Sequence, residues 1–409
     1  MSPNKKNPLL LVLGIRPDVI RASLIIGKLR DALGDGFIFV WSGQHYSDNL
    51  KDIFFRQLGL GSPDVELSIE SKTEPHFIGE WIRRFGDLVE SVEPCATAFL
   101  GDTNTVLGTI ASASHNVPIV HIEGCMRSYD WRMPEEKYRT VADHLSDVIY
   151  TYLDEYKEQG LLEGLNADQI VVTGNPIVDV LNDYFYSGKI RMSSNELKDL
   201  RDNLGIDSCE YSLMTCHRRE NVESRSALKN ILDLAAKSPH PVIFPASYRT
   251  QRSIEKFGLP IPANVNVIDP IGYVELLELM TESEFVLTDS GTVVEETAVL
   301  QVPSVQMRSS TERPQVYDSG SSIKFDPHIV WTNEEKVGVI EAAQARTNLN
   351  WEHGLGDGRA SDRIVDDLLV RISASEGFRG HDPVGTNRNY SRNQGLGLTG
   401  LGGWSTQIE

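Results

Sequence analysis

Short apolar runs recur along this chain, and a longer amphipathic or polar segment follows each of them. Runs with so few polar residues are typical of parallel strands, because helices cover both faces of a parallel sheet. The runs in the first part of the chain are LLLVLG (9–14), FIFVW (37–41), TAFLGD (97–102), PIVHIE (118–123), DVIYTY (147–152) and QIVVTG (169–174). The later runs are YSLMTCH (211–217), PVIFPAS (241–247), VNVIDP (265–270), EFVLTDS (284–290) and VPSVQMR (302–308). The alternation predicts an α/β fold with two doubly wound, Rossmann-like sheets.

The segment between the first two runs is predicted to be a crossover helix. Its apolar residues recur at helical spacing, and it ends at Gly34, a residue type that commonly follows the last turn of a helix. These apolar residues are Val19, Ile20, Leu24, Ile25, Leu29 and Leu33. The two strands and this helix therefore form one βαβ unit.

The stretch 182–210 interrupts the pattern because it is rich in polar and charged residues. A chain of 409 residues with 40% hydrophobic content can bury more than one core. We therefore expect an N-terminal domain at 1–182, which a C-terminal helix at 358–374 joins, and a second domain at 183–357. Residues 375–409 have too few large apolar side chains to pack, so we expect a flexible tail there.

The composition excludes several classes of protein. A formal net charge of -19 argues against a surface for nucleic acid or acidic membranes, since both require a basic face. The 4 cysteines show no paired CxxC spacing, which indicates a reducing compartment and argues against zinc. The N-terminal apolar run is too short for a signal sequence, and no stretch reaches the roughly 20 apolar residues of a membrane span. We expect a cytoplasmic protein without a metal or another cofactor.

Polar clusters follow several of the predicted strands. Ligands of doubly wound sheets bind in the crevice outside the carboxyl ends of the strands, so these clusters are expected to line a cleft between the two domains. The clusters are GIRPD (14–18), GDTNT (101–105), HIEG (121–124), TCHRREN (215–221), DSGTVVEE (289–296) and, after a turn, TERPQ (311–315).

The segment LTDSGTVVEE combines the end of a strand with the start of a helix. Ser290 and Gly291 precede a helix predicted to begin near Thr292, whose free N–H groups and dipole suit a phosphate. Thr292 and Glu295 match an S/T-x-x-E capping box, so we interpret Glu295 as a structural residue. The helix start does not require Glu296, which is therefore a candidate for ligand contact.

In order and spacing, the motifs resemble those of the UDP-N-acetylglucosamine 2-epimerase family over about residues 8 to 373. The matching segments are GIRPDVIR (14–21), GQHY (43–46), GDTNTVLG (101–108), HIEG with MRS (121–128), MPEEKYR (133–139), TGNPIVD (173–179), CHRRENV (216–222), LTDSGTVVEE (287–296), STERP (310–314) and GDG (356–358). The resemblance implies two domains in the glycosyltransferase-B arrangement, a UDP-sugar substrate, a homodimer and inversion at C2 of a UDP-linked 2-acetamido sugar. A hydrolysing epimerase, a B-type glycosyltransferase and a non-catalytic UDP-sugar-binding protein remain alternatives.

The resemblance also implies residues that bind the nucleotide. Ser290 and Gly291 would hold the diphosphate, Glu296 would contact the ribose hydroxyls, and nearby cations would neutralise the phosphate charge. Arg21 stands where the family usually carries lysine, so the charge is kept. The residues implied in UDP-sugar binding are Arg16, Arg21, Arg139, Ser290, Gly291, Thr292, Glu296 and Arg313, with His217 on the diphosphate.

Three carboxylates of the first domain, Asp102, Glu123 and Glu135, are candidates for proton transfer, and His217 completes the implied catalytic set. In the family mechanism, UDP is eliminated from C1 as a proton leaves C2, and readdition to the resulting glycal protonates the opposite face. Two carboxyl groups in different positions suit the two faces. Burial among like charges is expected to raise their pKa values.

Several positions depart from the family pattern. HIEGC replaces the common HxEAG and so introduces Gly124, Tyr138 stands where the family has a polar amide, and Ser247 stands where related sequences carry histidine. In bacterial members, a second UDP-N-acetylglucosamine activates the enzyme from an adjacent site to which the GQH stretch and that histidine contribute. Gln44 and His45 are candidates for such a second site. Because serine is shorter than histidine and uncharged, we expect this activation to be lost.

Overall fold

A computed structural model of the protein describes residues 7–43, 55, 57–69, 71, 73–206, 210–374 and 378. The first sheet has 7 strands, all parallel, in the order β3-β2-β1-β4-β5-β6-β7. Its strands are β1 (Leu9–Leu13), β2 (Phe37–Trp41), β3 (Val65–Glu66), β4 (Ala96–Leu100), β5 (Ile119–Ile122), β6 (Val148–Thr151) and β7 (Ile170–Val172). Leu11, at the centre of β1, pairs with Phe39 on one side and Ala98 on the other.

The second sheet has 6 parallel strands in the order β10-β9-β8-β11-β12-β13. Its strands are β8 (Ser212–Thr215), β9 (Val242–Pro245), β10 (Val265–Ile268), β11 (Val286–Thr288), β12 (Ser304–Met307) and β13 (Ser322–Phe325). Strand order reverses between β1 and β4 in the first sheet and between β8 and β11 in the second. These two reversals are the topological switch points at which ligands of doubly wound sheets bind.

Helices connect the strands of both sheets. Within the described residues, the α-helices of the first half of the chain include Arg16–Leu33, Glu74–Val92, Thr109–Ser114, Pro134–Leu145, Asp154–Leu162, Pro176–Val180 and Ser194–Leu204. Those in the second half are Arg219–Val222, Arg225–Ala235, Tyr248–Phe257, Tyr273–Glu282, Gly291–Leu300, Gln315–Asp318, Asn333–Gln344 and Ala360–Ser373. Short 3-10 turns occupy Gly34–Gly36, Asn104–Gly108 and Ala167–Gln169, and a π-helix occupies Leu181–Tyr186.

The predicted crossover helix is confirmed as Arg16–Leu33. Pro17 lies in its first turn, where the missing N–H costs no intrahelical hydrogen bond, and Gly34 follows its last residue with a positive φ of 51°. Its apolar stripe packs on the first sheet, where Ile25 and Leu29 are fully buried. Burial of each such side chain contributes about 1.5–3 kcal/mol before chain entropy is counted.

The last helix, Ala360–Ser373, lies against the first helix rather than against the second sheet's outer face. Its residues Ile364 and Leu368 belong to the same buried cluster as Ile25. Polar contacts support this placement, since Lys28 pairs with Asp362 at 2.7 Å and the Tyr150 hydroxyl donates to Asp367 at 2.7 Å. The last helix thus packs against the first helix, and the division into domains, with its boundaries at 182 and 357, remains a prediction.

All eleven predicted strands are present, and the structure adds two edge strands, β3 and β13. The sequence pattern missed them because β3 has 2 residues and β13 carries a polar, exposed Lys324. The polar stretch 182–210 is partly helical, since Ser193 and Glu196 form a capping box at the start of Ser194–Leu204. The predicted flexible tail lies outside the described residues except for Phe378, which is buried against the larger core. Within the described part of the chain, no helix is long and apolar enough to cross a membrane.

Candidate active site

The two sheets face each other with their strand-end loops in contact. Ser310, after β12, donates to Asp130 of the first half at 2.9 Å, and the Tyr156 hydroxyl donates to the carbonyl of Glu312 at 3.1 Å. Arg313 reaches across to Glu123, with 2.9 Å between Nη2 and Oε1. The expected cleft therefore lies between the two switch points, and charged side chains from both sheets fill it.

Glu123 is at the centre of this cleft. It directly follows β5, is 4% exposed and has a positive φ of 75°, a conformation that non-glycine residues seldom adopt. Its Oε1 accepts from Arg313, and its Oε2 accepts from Arg21 and from the Tyr152 hydroxyl, the latter at 2.9 Å. These three donors hold the buried carboxylate in a fixed orientation.

Arg21 lies in the second turn of the first helix and is 4% exposed. Besides Glu123, it contacts Asp18 at 2.8 Å. Burial raises the pKa of Asp18 to about 7, although the charge of Arg21 acts in the opposite direction. Gly101 makes this packing compatible with the chain turn after β4, since it has a φ of +89° and a Cβ there would lie 2.9 Å from Asp18 Oδ1.

Asp102 accepts a hydrogen bond from the buried guanidinium of Arg139. Burial is the largest single influence on Asp102 and would raise its pKa, but the charges of Arg139, Arg218 and Arg313 together outweigh burial and the pKa lies below its ordinary value. The expectation of a raised pKa was therefore wrong for this residue. It neglected Arg139, which is 37 positions away in sequence.

Glu135 behaves as expected, because burial and, secondarily, the charge of Asp102 raise its pKa. Its neighbour Glu136 has a different role. The Glu136 carboxylate accepts from the backbone N–H groups of Ser128 and Tyr129, at 3.0 and 2.7 Å, and so shapes the loop before the helix. The two adjacent glutamates thus have different roles: Glu135 remains a candidate for the cleft, whereas Glu136 binds backbone N–H groups.

On the opposite wall, the helix Gly291–Leu300 begins directly after β11. Its N-cap is Ser290, whose Oγ accepts from the Val293 N–H at 3.4 Å. The capping box predicted for Thr292 and Glu295 is therefore wrong. The helix begins two residues earlier than that motif requires, and Glu295 is an ion-pair partner of Arg313 at 2.8 Å. The first N–H groups of this helix have no intrahelical acceptor and suit an anion.

Glu296 is 1% exposed and accepts a hydrogen bond from the Tyr273 hydroxyl at 2.8 Å. Burial raises the pKa of Glu296 to about 8, although the hydrogen bond from Tyr273 opposes the shift. The contact of Glu296 with a ribose stays a prediction. Thr292 is also buried, in the first turn of the same helix.

A further buried carboxylate, Glu312, was not predicted from the sequence. Arg308 lies 3.0 Å from its Oε2, Arg218 lies 3.8 Å from its Oε1, and Arg313 donates to it as well. Burial opposes the charged form, yet the arginines, Arg139 among them, hold the pKa of Glu312 well below its ordinary value. The TERP motif contains Glu312 beside Arg313, and that adjacency was the signal available in the sequence.

The loop after β8 carries His217, about half of whose side chain is exposed (52%). Asp289 fixes this loop: it accepts from the backbone N–H of His217 at 3.1 Å, from that of Arg218 at 2.9 Å and from the Asn221 amide at 3.1 Å. Asp289 therefore holds the β8 and β11 loops together at the second switch point. Arg16, half-buried at the start of the first helix, has a pKa lowered by burial.

The positions that depart from the family pattern have structural explanations. The Tyr138 hydroxyl donates to Glu74 at 3.2 Å. A Cβ at Gly124 would lie 2.3 Å from the Ile149 side chain and 2.5 Å from Asp143 Oδ1. Ser247 caps the helix Tyr248–Phe257, with its Oγ 3.2 Å from the Thr250 N–H. Gln44 and His45 lie outside the described residues.

The site contains no sign of a metal centre within the described ranges, where no three His, Cys, Asp or Glu side chains come together in a suitable cluster. Cys95, Cys125 and Cys216 are free thiols. Cationic side chains, a helix N-terminus and buried carboxylates dominate the cleft instead.

Two doubly wound sheets that face each other across a cleft, with arginines and carboxylates on both walls and a helix N-terminus on one of them, define an enzyme of the glycosyltransferase-B-like fold class. Comparison with known proteins narrows this class. The profile of the family described as UDP-N-acetylglucosamine 2-epimerase matches residues 35–369. The chain belongs to this family.

Relatives and solved structures agree with the assignment. A UDP-N-acetylglucosamine 2-epimerase of Methanocaldococcus jannaschii is 34% identical over 366 residues, which is 87% of this chain and 97% of that protein. A UDP-2,3-diacetamido-2,3-dideoxy-D-glucuronate 2-epimerase of Pseudomonas aeruginosa is 32% identical and covers 88% of this chain and 99% of its own length. The crystal structure of the M. jannaschii enzyme with UDP-GlcNAc and UDP superposes with a TM-score of 0.80 at 30% identity, over 89% of this chain and 99% of that one.

Proposed function

We propose that this protein is a non-hydrolysing UDP-sugar 2-epimerase that acts on UDP-N-acetylglucosamine or a modified 2-acetamido relative. The main support for the proposal is the contact between Glu123 and Arg313, in which 2.9 Å separates Oε1 of the glutamate from Nη2 of the arginine. It brings a carboxylate suited to proton transfer from one sheet beside a cation suited to a diphosphate from the other.

In this proposal, the diphosphate binds at the N-terminus of the helix Gly291–Leu300. Ser290 and Gly291 supply backbone and hydroxyl donors, and the absence of a side chain at Gly291 matters because a Cβ would lie 2.8 Å from Arg313 Nη1. Arg313 neutralises the phosphate charge. Arg16, Arg21 and His217 supply further donors at the ends of β1 and β8, and Glu296 contacts the ribose.

The chemical step needs a base at C2 and stabilisation of the leaving UDP. Glu123, Asp102 and Glu135 enter the cleft from the first sheet, and their different environments suit different roles. Arg139 favours ionised Asp102, whereas burial favours protonated Glu135, so one group can accept a proton while another donates. Departure of UDP from C1 as the C2 proton leaves gives a glycal, and readdition with protonation on the other face completes the inversion.

Deuterium incorporation tests this proposal. The protein is incubated with UDP-N-acetylglucosamine in heavy water, and C2 is followed by NMR. We expect deuterium at C2 and a second, mannosamine-type signal without accumulation of free UDP, and neither change with Glu123→Gln. Stoichiometric release of UDP would instead indicate hydrolysis or glycosyl transfer. No exchange with this substrate or with UDP-2,3-diacetamido-2,3-dideoxy-glucuronate would overturn the proposal.

We also propose that the protein acts as a cytoplasmic homodimer. The chain mass is 45.6 kDa, so light scattering on the purified full-length protein tests the oligomer directly. A mass of about twice the chain mass supports the dimer, and a mass equal to that of one chain contradicts it.

A further inference from the structure

Tyr152 is a buried phenol that contacts Glu123, one of the three carboxylates proposed for proton transfer. It directly follows β6, its side chain is 1% exposed, and its hydroxyl donates to Glu123 Oε2 at 2.9 Å. Burial raises the pKa of Tyr152, so the hydroxyl remains a neutral donor at physiological pH.

The Tyr152 ring is held by its surroundings. It lies in an apolar cluster with Met126, Ile149 and Leu165, all of them buried. Its backbone carbonyl accepts from the N–H of Gly174 at 3.1 Å, which ties the residue to the loop after β7. The hydroxyl therefore approaches Glu123 from a fixed direction.

The other described donors to Glu123 differ from Tyr152 in charge and in expected mobility. Arg21 and Arg313 are cations of the kind that a diphosphate would attract. If substrate draws them away from the carboxylate, Tyr152 still holds Oε2. The charged or titratable groups that face Glu123 are Asp18 and Arg21 from the first helix, Arg313 with its partners Glu295 and Glu312 from the second sheet, and Tyr152.

We infer that Tyr152 is a positioning residue for the reaction: it holds one oxygen of Glu123 so that the other is presented to the C2 proton. This inference rests on the proposed function. In the step concerned, the C2–H bond breaks and its proton passes to Glu123. The bonding electrons form the C1–C2 double bond, and the electron pair of the C1–O bond leaves with UDP.

A hydrogen bond donated to a carboxylate favours its ionised form. Replacement of Tyr152 by phenylalanine removes that donor and keeps the ring. We expect kcat to fall about 5- to 10-fold with little change in KM, the effect of one lost neutral hydrogen bond. We also expect the pH at which Glu123 ionises to rise, because the carboxylate loses a donated hydrogen bond.

The matched control is Tyr156→Phe. Tyr156 is a second buried phenol in the same apolar cluster, but its hydroxyl contacts the Glu312 carbonyl and, at 2.8 Å, Gln315 Oε1. Both variants lose one buried hydroxyl, so a merely structural effect would lower both melting temperatures. The ionisation of Glu123 is expected to move only in Tyr152→Phe.

The test uses full-length protein labelled with carboxyl-13C glutamate, in which the Glu123 signal is identified by its loss in Glu123→Gln. A higher titration midpoint in Tyr152→Phe than in wild type and Tyr156→Phe supports the inference. Equal midpoints in all three proteins, or equal shifts in both variants, overturn it. This measurement needs no turnover. A failure of wild-type protein to epimerise would therefore count against the proposed function alone, and an unchanged midpoint against Tyr152 alone.

Discussion

Arg313 and Glu123 belong to different sheets, yet Nη2 of the arginine lies 2.9 Å from Oε1 of the glutamate, and both side chains are buried. The same guanidinium also pairs with Glu295 and Glu312. One cation thus joins three carboxylates where the two walls of the cleft meet. A ligand phosphate at this position would compete with those carboxylates for the guanidinium.

Replacing Arg313 by glutamine is expected to weaken UDP binding by about 1–3 kcal/mol, because a charge-assisted hydrogen bond to the phosphate is lost. Isothermal titration calorimetry measures the change. Arg219→Gln is the control, since Arg219 is 64% exposed and its pair with Glu74 is 3.6 Å long. If the Arg313 variant binds UDP as tightly as wild type does, the second sheet binds a ligand other than UDP.

Glu123→Gln and Asp102→Asn are each expected to lower turnover by a factor on the order of 100 or more, the range for loss of a general acid or base. UDP binding should be retained in both variants, because neither carboxylate is proposed to contact the diphosphate. Initial rates measured at saturating substrate test this. Glu223→Gln, at an exposed helix end, serves as the control. Near-normal rates in both variants would remove the two carboxylates from the mechanism.

The buried Glu296 predicts a pH-dependent stability. Its pKa is raised from 4.5 to about 8, so the unfolded state loses this proton at lower pH than the folded state. The contribution to the free energy of unfolding therefore falls as pH rises from about 4.5 to about 8. Glu296→Gln removes this dependence. The melting temperature of wild type minus that of the variant should decrease across this window, and a constant difference would contradict the prediction.

Gly124→Ala is expected to destabilise the protein by about 1–3 kcal/mol, because the added methyl group would overlap Ile149 and Asp143. Gly79→Ala is the matched control: Gly79 is exposed within the helix Glu74–Val92, and a Cβ there meets nothing within 4 Å. The control should stabilise the protein by about 0.4–1 kcal/mol. Thermal melting of both variants tests this, and equal behaviour would show that the site around Gly124 can relax.

The position of Ser247 predicts that the enzyme works without activation by a second molecule of UDP-N-acetylglucosamine. Its hydroxyl caps a helix and contacts Thr250 Oγ1 at 2.8 Å, so it is already engaged within the protein. We expect a hyperbolic dependence of rate on UDP-N-acetylglucosamine, and a reverse reaction from the mannosamine epimer that needs no added activator. Sigmoidal rates, or a reverse reaction that begins only after a trace of UDP-N-acetylglucosamine is added, would contradict this.

Local sequence pattern was sufficient for the framework of the fold. Apolar runs such as 37–41 became strands at the predicted positions, since a strand buried on both faces must be apolar along its whole length. The first helix followed from its spacing and from Gly34. The order of the motifs also indicated the family, and that resemblance implied Arg313 as a site residue. Asp102 and Glu123 were candidates because polar groups at strand ends meet in one crevice.

The partners of those residues were decided only by the tertiary structure. Glu295 fits a local capping motif, yet it pairs with Arg313. The pKa of Asp102 is lowered, against the effect of burial, because the charges of Arg139, Arg218 and Arg313 lie close to it. Arg313 and Glu123 are 190 positions apart in sequence. Periodicity reports which side chains are buried, whereas charge state and ion pairing depend on distances of a few ångströms between distant segments. Those distances exist only once both sheets have packed against each other.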